Sequence, residues 1–118
     1  MAPLAVAIWS LAFPGGVRAA EPAAIDAAAS RAVEFLRVSQ SADGSWTTDQ
    51  SPGITGLVAA ALLQNGVKPE DPVIQKAFGF ISKFAQEDGG IYANKTGHGN
   101  YETCIALLAY KEIGRAHV

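Results

Sequence analysis

An all-α architecture of two α-α hairpins follows from three features of the chain. Four apolar stretches of helical character run along the chain, and each is bounded by Pro, Gly, Asp or Ser. Two of these stretches carry charges on one side, whereas the other two carry none through their centres. The third feature is a duplicated turn. Gln40-Ser41-Ala42-Asp43-Gly44-Ser45-Trp46 closes the first stretch, and Gln86-Glu87-Asp88-Gly89-Gly90-Ile91-Tyr92 closes the third. In each copy an Asp-Gly pair stands where a helix must stop, and an aromatic follows it.

The first helix is expected from Pro22, suited to the first helical position, to about Ser39. Ile25, Ala28, Ala29, Ala32, Val33 and Leu36 form its apolar stripe, with Arg31, Glu34 and Arg37 off it. Ser51-Pro52 opens the second helix, which is uncharged from Ile54 to Leu63 and must be enclosed on more than one side. Gly66 ends it, with Val67 placed for the apolar contact of a glycine cap. Asp71-Pro72 starts the third helix, whose stripe is Ile74, Ala77, Phe78, Ile81, Phe84 and Ala85. The fourth is expected from Tyr101, uncharged from Ile105 to Tyr110 and closed by Lys111, Glu112 and Gly114.

The upstream and downstream halves of the two copies keep register. Ala32, Phe35, Leu36, Asp43 and Gly44 match Ala77, Phe80, Ile81, Asp88 and Gly89, a period of about 45 residues. Thr55–Gly66 matches Thr103–Gly114 with a displacement about three residues larger, accommodated by the loop at Lys95–Gly99. The repeats therefore span about residues 22–67 and 71–114. Alternation of one-sided and uncharged helices fits two layers, outer and inner. Two such hairpins cannot cover the faces of their own inner helices, so the expectation is a piece of a longer array or a chain that self-associates.

Composition narrows the function classes. In 118 residues, nine basic against eleven acidic side chains give a net charge of −2, with no basic patch for nucleic acid. One cysteine excludes an intrachain disulfide and any zinc site of paired cysteines. Leu4 to Phe13 is an apolar run too short for a bilayer. Pro14-Gly15-Gly16 breaks it, and Val17-Arg18-Ala19 follows with small residues at the positions a signal peptidase reads. Residues 1–19 are thus expected to be a signal peptide, residues 20–118 the repeat domain, and the destination secreted or periplasmic.

Gln40-x-x-Asp43-Gly44-Ser45-Trp46 resembles the QW motif of triterpene cyclases. Together with Asp88-Gly89-Gly90-Ile91-Tyr92 and Tyr101-Glu102-Thr103-Cys104-Ile105, it makes the chain similar to the squalene–hopene cyclase and protein prenyltransferase repeat superfamily. The resemblance runs from about Ala24 to Gly114 and implies a partial (α/α)6 toroid of alternating outer and inner helices. It also implies that Gln40 and Trp46, with Asp43, Gly44, Gln86, Asp88, Gly89 and Gly90, form a structural repeat motif. The second copy departs from the pattern, with Ile91 where Trp would sit and Gln86 one residue closer to its aspartate.

Catalytic chemistry is thinly represented. The family's cyclases start with a D-x-D-D acid, but Asp43, Asp49, Asp71 and Asp88 are scattered and read as turn and cap residues. Glu102 and Cys104 stand where prenyltransferases hold zinc with an Asp-x-Cys pair and a distant histidine. Here glutamate replaces aspartate, and neither His98 nor His117 is at the histidine's position. The competing reading makes Glu102 a first-turn acid and Cys104 a small packed residue. Tyr101 opens an inner helix and is the residue placed to meet an apolar or cationic ligand.

No cofactor is implied by these residues, and the complete toroid would take an isoprenoid or other apolar ligand. The sequence reading is an exported module for binding or scaffolding, without catalysis of its own. The alternative is part of an isoprenoid-handling cyclase or transferase whose catalytic residues lie beyond this chain.

Overall fold

A computed structural model describes residues 21–117 of the protein. The expected signal peptide over residues 1–19 lies outside the described residues. Four helices follow one another: α1 (Pro22–Ser39), α2 (Gly53–Gln64), α3 (Pro72–Ser82) and α4 (Gly99–Ala116). The described chain is all-α, its only β-type pairing being an isolated antiparallel bridge between Ala85 and Ile91.

Helix α2 is the centre of the packing, in contact with both α3 and α4. Its low charge is explained by what it buries: Thr55, Gly56, Ala59, Ala60, Leu62 and Leu63 are all withdrawn from water. Of these, Ala59, Ala60, Leu62 and Leu63 join Trp46, Val67, Val73, Ile74, Ala77, Ile81, Ala106 and Ala109 in one apolar cluster. The close approach of α2 to α4 depends on a missing side chain. A Cβ on Gly56 would lie 3.0 Å from Ile105 Cγ2.

The helix ends follow from local chemistry. Asp71 accepts a hydrogen bond from the Val73 amide at 3.0 Å and caps α3, with Pro72 behind it. At the end of α2, Gly66 adopts φ +88°, its amide bonds Leu63 O and that of Val67 bonds Leu62 O, both at 3.1 Å. This paired arrangement closes the helix and buries Val67 beneath it.

Several sequence expectations are corrected. Helix α1 buries no residue. Val33 and Leu36 rest on the core, while Ile25, Ala28 and Ala32 of the expected stripe face water. Helix α3 stops at Ser82, so Phe84 and Ala85 lie beyond it, and its buried set gains Val73 and Phe80. Phe80, in the last turn of α3, is buried and forms a tilted aromatic pair with Phe84, centroids 5.1 Å apart. Helix α4 starts two residues before Tyr101 and passes through Gly114, which has no positive φ. A glycine ends a helix only where the chain turns left-handed, and here it does not.

The Asp43-Gly44 turn sets the approach of the segment between α1 and α2 to α3. Gly44 has φ +95°, and a Cβ there would sit 2.1 Å from the Lys76 carbonyl oxygen. Gly44→Ala should therefore cost about 3 kcal/mol, backbone strain adding to a clash with main chain. Gly66→Ala, with φ +88° but open space around it, should cost only about 1 kcal/mol. Denaturant midpoints of the two variants measure the difference.

Candidate functional site

Both turns are built from the same bonds. In the first, Ser41 N donates to Ser45 O at 2.9 Å and Gly44 N to Ser41 O at 3.0 Å. In the second, Gln86 N donates to Gly90 O at 2.8 Å and Gly89 N to Gln86 O at 3.1 Å. The residue after each turn then donates its amide to a threonine of the following helix. Trp46 N meets Thr55 Oγ1 at 3.2 Å, and Ile91 N meets Thr103 Oγ1 at 3.1 Å. The turn aspartates also act alike. Asp43 accepts from Ser45 N and Oγ, and Asp88 from Gly90 N and the Tyr92 hydroxyl.

These bonds set the titration of the acids. Hydrogen bonds from Ser45 hold the Asp43 carboxyl below the usual carboxylate range. The Gly90 amide, then the Tyr92 hydroxyl, does the same for Asp88, and Tyr92 is correspondingly pushed up.

The two glutamines diverge. Gln40 Nε2 donates to Gly44 O at 3.0 Å and to Val73 O at 2.9 Å, tying its own turn to α3. Trp46, buried, donates Nε1–H to Leu36 O at 2.8 Å across the end of α1. Gln86 donates to Tyr92 O at 2.7 Å, within its own loop. A second tie between α1 and α3 was invisible in the sequence: Arg37 Nη1 lies 2.8 and 2.7 Å from the two Asp71 oxygens.

Glu102 is a junction. Buried at the first turn of α4, it accepts from Ser51 Oγ at 2.7 Å and from Ala93 N at 2.8 Å. Ser51 Oγ in turn accepts from Gly53 N at the start of α2. One carboxylate thus fastens the starts of α2 and α4 and the loop between α3 and α4, with both its oxygens occupied. Cys104, two residues on, is exposed on another face of α4. Among the described residues no group of three His, Cys, Asp or Glu side chains is placed to hold a metal ion.

An open cleft of about 680 Å³ lies at the mouth of α4, between the Asp88-Gly90 turn and the loop before the helix. Tyr92, His98 and Tyr101 line it. The Tyr92 ring fits because Gly90 and Gly99 flank it: a Cβ on Gly90 would come within 2.5 Å of the ring and one on Gly99 within 3.4 Å. Tyr101 is largely exposed, with its ring 3.6 Å from the position a Gly53 Cβ would take. His98 immediately precedes α4, and its carbonyl accepts from Glu102 N. His117, past the end of α4, is exposed.

Helices α2 and α4 also present apolar surface to water. Ile54 and Leu57 of α2 are exposed, as are Leu107 and Leu108 of α4. Among the described residues, no helix is long and apolar enough to cross a membrane. No known family, curated protein or solved structure matches the chain.

Two predictions follow from the polar ties. The hydrogen bond from Arg37 depresses the Asp71 carboxyl, so this pair stabilises the fold above the ordinary carboxylate range. The contribution is lost as pH falls through the lowered folded value. Asp71→Asn keeps a helix cap but loses the pair, so its denaturant midpoint should fall less than the wild type's on acidification from neutral pH. At the junction, Glu102→Ala leaves the Ala93 amide without its acceptor and should cost about 1–3 kcal/mol. Glu102→Gln, whose carbonyl oxygen can accept from Ala93 while its amide faces the Ser51 hydroxyl, should lose less than half of that in chemical unfolding.

Proposed function

We propose that the chain is an exported module for binding or scaffolding, built from two α-α hairpin repeats of the squalene–hopene cyclase and prenyltransferase kind. In this reading α1 and α3 are outer helices and α2 and α4 inner helices of a partial (α/α)6 toroid. The observation that carries it is the duplicated bonding of the Asp43-Gly44 and Asp88-Gly89 turns, each followed by an amide-to-threonine bond into the next helix. Such agreement in local chemistry at a fixed spacing supports duplication of one supersecondary unit.

The acids support a structural assignment. Asp43 and Asp88 hold turns, Asp71 caps α3 and pairs with Arg37, and Glu102 fastens two helix starts. Work on a partner then falls to the exposed apolar faces of α2 and α4. Residues 1–19, as a signal peptide, would deliver the module outside the cytoplasm.

A second reading makes the chain part of an isoprenoid-handling cyclase or transferase. Tyr101 favours it, since an exposed aromatic at the mouth of an inner helix suits an apolar or cationic ligand. The two readings separate on incubation of the full chain with squalene and with a prenyl diphosphate, followed by product analysis. The module reading expects both to be recovered unchanged. A cyclised or transferred product would overturn it in favour of the enzyme.

A further inference from the structure

The threonine bonds fix how the two hairpins correspond. Thr55 and Thr103 each accept the amide that leaves the preceding turn, so each α2 position has its counterpart on α4. Compared in this register, the burial of the two inner helices is reciprocal. Gly56 and Ala60 of α2 are buried, Gly56 directly beneath Ile105; their counterparts Cys104 and Leu108 are exposed. Ile105 and Glu102 of α4 are buried toward α2; their counterparts Leu57 and Ile54 are 46% and 40% exposed. The face bare on each helix is the one its counterpart uses to hold the other.

The outer layer repeats the pattern. Phe80 of α3 is 4% exposed, whereas its counterpart on α1, Phe35, is 66% exposed. Gly44 presses on the backbone of α3 at Lys76, whereas its counterpart Gly89 has φ +91° and nothing within 4 Å of its Cβ position.

We propose that these two edges are the halves of one interface, and that a second copy of this chain joins them head to tail. The α1–α2 edge of one copy, with Phe35 and Leu57, docks on the other copy's Gly89 turn and α4 face around Leu108. It docks as the second hairpin docks on the first. The proposal rests on the two-repeat reading above and names its partner.

Side-chain shape supports the match. The atom that a Cβ on Gly56 would crowd most is Ile105 Cγ2, 3.0 Å away. Across the proposed contact Gly56 is replaced by Cys104 and Ile105 by Leu57, and leucine branches one carbon farther out, without a Cγ2. The larger residue thus meets a partner with space for it. Because the two surfaces differ, the contact is heterologous and propagates from copy to copy, into a ring if the rotation closes and a filament if it does not.

The test is sedimentation velocity on the full chain across a concentration series, with Leu57→Glu and Leu108→Glu alone and mixed. Both residues are exposed in the single chain, and circular dichroism checks that each variant keeps the wild-type helix content. The wild type should show dimers and larger species growing with concentration. Each variant alone should sediment as a monomer, because each lacks one half of the contact. Their equimolar mixture should form a one-to-one dimer and nothing larger, since one intact half remains on each. A wild type that stays monomeric assigns the edges to some other occupant and overturns the proposal. So does a mixture that stays monomeric, or a single variant that still assembles, as a symmetric contact between two α4 faces would under Leu57→Glu. None of these results alters the product analysis, so the module reading stands or falls separately.

Discussion

The backbone of the first turn pressed on the backbone of α3 is the constraint on which the arrangement depends. Gly44 comes so close to the Lys76 carbonyl that no side chain fits between them. The approach is held from two sides. Gln40 spans from the turn to Val73 O, and Trp46 is buried with its indole N–H on Leu36 O. Arg37 adds a charged tie to Asp71 at the start of α3. With α1 and α3 joined through their ends, α2 is placed over the cluster that contains Trp46, Ile74 and Ile81. Packing then follows from position: small residues at Gly56, Ala59 and Ala60 let α4 lie against α2.

Polar groups inside this structure serve as joints. Glu102 is the clearest case, a buried carboxylate whose two oxygens take a hydroxyl and a backbone amide from different segments. Leaving either donor unpaired would be costly, so the group specifies one relative position for α2, α4 and the loop between α3 and α4. The threonine hydroxyls, uncharged, tie each turn to the helix that follows it. Among the described residues no buried side-chain nitrogen or oxygen is left without a partner. That economy accounts for why residues resembling a zinc pair serve different ends here: Glu102 is committed to its joint, and Cys104 faces water.

The difference between the two turns is one of surroundings. Both turns share their internal bonds, yet only the first has a helix pressed on its glycine. Phe35 and Phe80 occupy matched sequence positions with opposite exposure, and so do Leu57 and Ile105. Apolar side chains of this kind gain stability only when something covers them. The uncovered counterparts motivate the proposed head-to-tail contact with a second copy.

By itself the sequence determined the helical class, the bounds of α1 and the cap at Asp71. It also determined the positive φ at Gly44, Gly66 and Gly89, because periodicity, capping and positive φ are local properties. Only Gly66 closes a helix: α1 stops at Ser39 and α3 at Ser82, ahead of the Asp-Gly turns expected to end them. The likeness of Gln40–Trp46 to Gln86–Tyr92 and the matched threonines were also legible in it, although the threonine hydroxyl bonds were not foreseen. Tertiary structure alone decided which of two equivalent apolar residues is buried, that Arg37 reaches Asp71 thirty-four positions away, and that Glu102 turns toward Ser51 and away from solvent. The physical reason is that burial and pairing belong to neighbours brought together by the fold, and a periodic pattern names the face of a helix without naming what lies against it.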